Sequence, residues 1–357
     1  MHPLIHPQTN RSRLLSLALI TLGPSLGIAQ QTQPQASAAL INRNAIVYSP
    51  STGKIYVVDP AHAAVSIVVP AKAAKSLSVG SGPEAIALNN RTGFVYVANS
   101  GSRSVSVIDG KSDMVIATIP TAARPYAIAL DELANKIYVS NTFSNMLTVI
   151  DGNTNTATNL KTGSADDIIV DPDKNLIYLL GYESTAVTVL NSKTNTITKI
   201  PAGAFHLWGI AKLGKTLYVT HVQDASIAAI DTDTSVVANI ATGSMPCALA
   251  VNRRTGELYV ANYAGDSVTL IDKNGTLSTT IPAGHHPQAI AIDADKNLVY
   301  VANTQENTVT IIDGKARQVL KTVKAGEHPY ALALNLSTHT VYVANLGEIP
   351  FTALPAR

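Results

Sequence analysis

Eight times along the chain an apolar, strand-like segment recurs around a tyrosine: Tyr56, Tyr96, Tyr138, Tyr178, Tyr218, Tyr259, Tyr300 and Tyr342, at spacings of 40, 42, 40, 40, 41, 41 and 42 residues. A period this regular commits the chain to a repeat architecture, and a unit of this length built only of short strand-like segments predicts propeller blades rather than a helical solenoid. One unit shows the grammar. Glu84 to Leu88 leads into a turn at Asn89 to Gly93, then Phe94 to Asn99, a loop, Ser104 to Asp109, a second turn, and Met114 to Ile119. Each segment is rich in β-branched residues and bounded by Asn, Asp, Gly or Pro, as antiparallel hairpins require. We label these four strands A to D.

Strand A alternates small and larger apolar residues, as in Ala127-Ile-Ala-Leu130 and Ala289-Ile-Ala-Ile292. Small side chains suit the innermost strand, because blades converge on the axis and the space tapers. The expectation is an all-β propeller of four-stranded antiparallel blades. Eight A–B units can be counted but only seven convincing C–D pairs, since Leu346 to Arg357 does not continue the pattern. Simple counting gives eight blades with an incomplete last one, to which Ala36 to Asn42 could add an outer strand; a seven-bladed ring would leave one A–B pair over. The domain reading is a leader at 1–29, a linker and closing strand at 30–44, the propeller at 45–346 and an irregular tail at 347–357.

Composition narrows the class. Of 357 residues, 46% are hydrophobic and 14% charged, which excludes general disorder. The formal charge of +2 arises from 26 basic and 24 acidic residues with no like-charge run to track a phosphate backbone, so nucleic acid is not an expected partner. Cys247 is the only cysteine and reads as a small apolar residue beginning a strand. Arg11 and Arg13 precede the apolar run Leu14 to Leu22, the breakers Gly23 and Pro24, and small residues at Gly27 and Ala29, the layout of a secretory leader. The run is too short for a membrane span. An exported, soluble, monomeric protein is expected, in the periplasm or outside the cell.

The segments Tyr96-Val-Ala-Asn99, Tyr259-Val-Ala-Asn262, Tyr300-Val-Ala-Asn303 and Tyr342-Val-Ala-Asn345 stand beside Val/Ile-Asp-Gly or Pro-x-Ala-Ile-Ala segments. In this the chain resembles the YVTN-repeat β-propeller family, which includes YncE-like periplasmic proteins and surface-layer proteins. The resemblance spans about residues 45 to 346. Its motif is structural and brings no catalytic residue with it, so fold does not settle function.

Chain direction places the D–A connections and B–C loops on one face, the top, and the A–B and C–D turns on the other. The bottom turns are nearly interchangeable, whereas the top loops differ, and variable loops on a rigid scaffold are where binding chemistry sits. The candidate ligand-binding residues there are Glu84, Arg124 and Tyr126, the acidic pair Asp166 and Asp167 with Tyr182 and Glu183, and His206 with Trp208, the only tryptophan. To these are added His221, which stands where other units have Asn, and His286, His328 and Tyr330. Histidines at three equivalent loop positions invite a metal reading, but their units are not all adjacent, and neither a metal nor a cofactor is expected. The repeated Asn99, Asn141, Asn262, Asn303 and Asn345 read as caps of the B–C turn, and the Asp that opens each C–D turn as a turn residue. The leading functional reading is a binding module for a small molecule, glycan, peptide or protein. The alternatives are a lactonase-like hydrolase using His206, His221, Asp166 or Asp167 as acid, base or metal ligand, and a structural component of the cell envelope.

Overall fold

A computed structural model describes residues 44–70, 72–347 and 351–354. The leader and nearly all of the linker expected at 30–44 lie outside them. The described chain is an eight-bladed β-propeller of seven four-stranded antiparallel meanders followed by one of three strands. The eight innermost A strands are Ile46–Ser49, Pro83–Leu88, Arg124–Asp131, Asp167–Asp171, Leu207–Leu213, Pro246–Asn252, Pro287–Asp293 and Pro329–Asn335.

The signature tyrosine lies in strand B and opposes a strand-A residue at one register: Tyr96 faces Ala87, Tyr178 faces Ile169, Tyr342 faces Ala333. All eight tyrosines are buried. Tyr56 also bridges two blades: its hydroxyl donates to the Gly110 carbonyl in the C–D turn of the next blade, at 3.4 Å. Gly110 is required there, because a β-carbon would lie 2.6 Å from the Gly93 carbonyl oxygen and 3.1 Å from the Tyr56 hydroxyl. The Asp at the head of that turn is structural, as expected; Asp109 Oδ1 accepts from Lys111 N–H at 3.0 Å and Asp313 Oδ1 from Lys315 N–H at 2.8 Å.

The Asn that ends strand B does more than cap a turn. Asn262 Nδ2 donates to the hydroxyls of Ser267 and Thr269, and Asn303 Nδ2 to those of Thr308 and Thr310, so the amide ties strand B to strand C across two residues of the ladder. Asn345 Nδ2 makes the same bond to Thr352 Oγ1 at 3.0 Å. This exposes an error in reading 347–357 as irregular: Phe351–Leu354 is strand C of the last blade, pairing Val343 with Thr352 and Ala344 with Phe351. Its apolar and β-branched residues satisfy the ladder although the usual Ile-Asp-Gly ending is missing.

The ring closes between the first and last blades. Ile46, Tyr56, Tyr330, Ala331, Tyr342 and Ala344 share one core cluster, and the rings of Tyr48 and Tyr342 stack with centroids 5.8 Å apart. Eight blades form the ring, and the seven-bladed alternative falls.

Candidate functional site

Counting three residues back from the strand-A partner of each tyrosine reaches the top end of each A strand, beside the central channel. The eight residues at that level are Asn44, Glu84, Tyr126, Asp166, Trp208, Cys247, Gln288 and Tyr330. One step deeper stand Ala45, Ala85, Ala127, Asp167, Gly209, Ala248, Ala289 and Ala331. The deeper ring is thus small and apolar except for Asp167, and its neighbour in the next blade is the one glycine. Apolar side chains dominate the channel wall, with Asn44, Lys212 and Arg253 among them. A cavity of about 570 Å³ runs along the A strands between Ile86, Ile128, Ile168 and Ile210 and ends near Lys212 and Arg253. A second space of about 250 Å³ is lined by Asp167, Asn44, Ala248, Ala289 and Leu332.

Asp167 is 7% exposed. Its Oδ1 accepts from Ile168 N–H at 3.0 Å and its Oδ2 from Ile210 N–H of blade 5 at 3.3 Å, so the carboxylate lies against the backbone that carries Trp208. Asp166 is held by its Oδ2, which accepts from Tyr182 N–H at 2.8 Å. Burial raises its pKa above the ordinary Asp value, the Tyr182 N–H opposes the rise, and the Glu183 charge adds to it.

Tyr182 extends from the B–C loop of blade 4 onto blade 5. Its ring lies 5.0 Å from that of His206 and 5.8 Å from that of Trp208, the latter edge-to-face at 90°. Phe205, 59% exposed, flanks His206 at 6.4 Å. Four of the candidates, Asp166, Tyr182, His206 and Trp208, thereby come together at the junction of blades 4 and 5.

Two candidates are corrected. His221 does not face the top opening; it is 1% exposed, with Nε2 2.8 Å from the Ala202 carbonyl and Nδ1 3.1 Å from Ser226 Oγ. It takes the place of the strand-B asparagine as an internal tie, and burial holds its pKa below the ordinary histidine value despite the Ala202 hydrogen bond. With both nitrogens occupied and no solvent access, it is not an acid, base or ligand residue. Tyr330 is likewise no rim residue. It is 1% exposed in the core between the last and first blades, where burial, Asp59 and Glu84 all raise its pKa.

The remaining candidates lie apart. Glu84 accepts from Ser100 Oγ at 2.9 Å; burial raises its pKa, opposed by Ser100 and by Arg124 in the next blade. Tyr126 is half-buried and packs on the core of blades 3 and 4. His286 stacks on Tyr263 at 4.2 Å, and His328 Nδ1 is 3.2 Å from the Thr304 carbonyl. Each of the three loop histidines thus engages the preceding blade rather than a common centre. No group of three or more His, Cys, Asp or Glu that could hold a metal ion occurs among the described residues.

A backbone feature underlies this placement. Gly82, His206, Met245, His286 and His328, each just before strand A, have φ between 49° and 61°. For a non-glycine residue this left-handed conformation costs about 1–2 kcal/mol, and three of the five are histidines. Sequence reasoning passed over Tyr263, although it follows Asn262 as Tyr182 follows Gly181, and also Phe143, 65% exposed at φ 65° in the B–C loop of blade 3.

No protein-family model and no curated protein matches the chain. Its structure is similar to that of the hydrazine synthase of Kuenenia stuttgartiensis, with a TM-score of 0.61 at 18% identity over 92% of this chain and 99% of that one. It is also similar to the computationally designed protein Ika8, with a TM-score of 0.72 at 13% identity over 88% of this chain and 97% of that one. At such identities the likeness is one of fold, and what the chain shares with both is its architecture.

Proposed function

We propose that this propeller is an exported binding module that takes its ligand at the top of the channel over blades 4 and 5. The carrying observation is that the repeat breaks there in several ways at once. Asp167 replaces a small apolar residue, Gly181 and His221 replace the asparagine of strand B, and the only tryptophan joins Tyr182 and His206 in one aromatic corner. Aromatic side chains with partly exposed faces provide large contact area at small conformational cost, and they dominate binding sites. The leader-like first 29 residues support export, and the Tyr-Val-Ala-Asn segments support a place among YVTN-repeat propellers. The hydrolase reading is weaker, because His221, one of its acid–base candidates, is buried with both nitrogens engaged.

A thermal-shift screen detects ligands of any chemistry, since a molecule that binds only the folded state raises the melting temperature. Replacing Tyr182, His206 and Trp208 together by alanine should abolish the shift given by each hit while the protein remains folded. Undiminished shifts in that variant would move the site elsewhere.

A further inference from the structure

We propose that the mouth between blades 4 and 5 binds a compact organic cation, an alkylammonium or guanidinium group, in the corner of the Tyr182 and Trp208 rings beside the carboxylates of Asp166 and Asp167. The inference rests on the reading of this mouth as the binding site and adds the class of ligand.

Two independent features carry it. The first is the aromatic corner. Two rings meeting edge-to-face at 5.8 Å present one π face beside the edge of the other, and a π face attracts a cation within about 6 Å of its centroid. The second is the sign of the surrounding charge. The four top loops of these blades, residues 162–167, 181–186, 202–208 and 222–226, hold Asp166, Asp167, Glu183 and Asp224 and not one Lys or Arg. Asp167 lines the channel at the level where every other blade has Ala or Gly, and two backbone N–H groups fix its carboxylate in place. A carboxylate set in a wall of low dielectric acts on a charged ligand more strongly than one in open water.

The junction between blades 6 and 7 argues by contrast. It also has a tyrosine against a loop histidine, yet its acid, Asp266, has a counter-group in His285 at 2.7 Å. In blades 4 and 5 the same aromatic device stands beside Asp166, which a backbone N–H holds instead.

Trp208 is the sole tryptophan, so its fluorescence reports the corner directly. The experiment titrates the purified protein with choline and with arginine amide, and in parallel with their uncharged counterparts 3,3-dimethylbutan-1-ol and citrulline amide, followed by fluorescence and calorimetry. The cations should give a saturable change, and the uncharged counterparts should bind at least tenfold more weakly. Asp167→Ala, which restores the residue found in most blades, should lose at least tenfold in cation affinity while remaining folded.

Equal binding of the charged and uncharged members of a pair would overturn the assignment of charge while leaving the site in place. Full cation affinity in Asp167→Ala would overturn it too. If none of the four probes perturbs Trp208 while hits from the thermal-shift screen still depend on Tyr182, His206 and Trp208, the site reading survives and the cation is wrong. If those hits ignore the triple substitution, the site reading itself fails.

Discussion

Two blade junctions on the top face use the same contact and reach opposite electrostatic outcomes. Between blades 4 and 5 the Tyr182 ring meets His206; between blades 6 and 7 the Tyr263 ring stacks on His286. In both, the histidine is held at positive φ. At the second junction burial pushes Asp266 up, but His286 N–H and His285 outweigh it and hold the carboxyl below its ordinary value. At the first, burial and Glu183 prevail over the Tyr182 N–H, and Asp166 is raised. The tyrosine–histidine contact is therefore part of the scaffold. What distinguishes the candidate site is its excess of acidic groups and the tryptophan beside them.

Removing a junction altogether sets the scale. Deleting residues 330–357 strips the last blade and bares the faces of blades 1 and 7, which should lower stability by several kcal/mol at about 25 cal/mol per Å² of apolar area. Urea titration against the parent chain measures it, and an unchanged midpoint would mean that the ring does not depend on its closing blade.

Next comes the internal tie of each junction. His221→Ala leaves the Ala202 carbonyl unpaired beside a new cavity and should cost about 2–4 kcal/mol. Asn262→Ala removes the corresponding amide in blade 6 and should cost about 1–3 kcal/mol. If both variants unfold like the parent, these side chains are not the ties described.

The tyrosines separate scaffold from site more finely. Tyr182→Ala and Tyr263→Ala should each lose about 1–2 kcal/mol of stability for a half-buried ring. Only the first should weaken binding of ligands found by thermal shift. Equal loss of binding in both would erase the distinction between the junctions.

The smallest effects concern charge and should carry opposite signs. Asp166→Asn removes a charge that the folded state disfavours and should stabilise slightly, whereas Asp266→Asn removes one that it favours and should destabilise, each within about 0.5 kcal/mol in this solvent-screened setting. Acidification should split the same way. The folded-state pKa of His221 lies below the ordinary value, so its contribution is complete above the unfolded histidine range and is lost as pH falls through that range. His285 is raised, first by its hydrogen bond to Asp266, so its contribution is present at low pH and lost as pH rises through its folded value. Comparing stability at about pH 5.5 and about pH 7.5, on either side of the ordinary histidine value, His221→Asn should reduce the loss on acidification and His285→Asn should deepen it. Identical pH profiles for both variants would refute the assignment.

The tyrosine spacing made the architecture and the number of blades legible, because one residue in one register repeats and nothing else in the fold competes with it. The last strand C was not legible. Phe351–Leu354 lies between Pro350 and Pro355 and lacks the Asp-Gly turn that follows several other C strands, so it shows only in its pairing with strand B and in the Asn345–Thr352 bond. At the candidate site the sequence identified the unusual blades but not which way side chains point. Tyr126 and Tyr330 occupy equivalent positions, yet one is half-buried at the rim and the other is sealed by the ring's closing contact. His221 replaces an asparagine whose neighbours in sequence are loop residues, but its side chain turns back into the blade. Such differences depend on the adjoining blade, some forty residues away, and no local pattern encodes them.

The stacking of Tyr48 on Tyr342 has a topological consequence. Because the first and last blades meet through the same kind of packed face as any other pair, the seam of the ring is set by where the polypeptide happens to be cut and not by a special interface. A circular permutant, with its ends opened in the Asn89 to Gly93 turn and the original ends joined by a linker, keeps every packed blade-to-blade face and gives up only turn contacts such as that of Asn89 with Asn135. It would place new termini on the bottom face, leaving the mouth between blades 4 and 5 untouched.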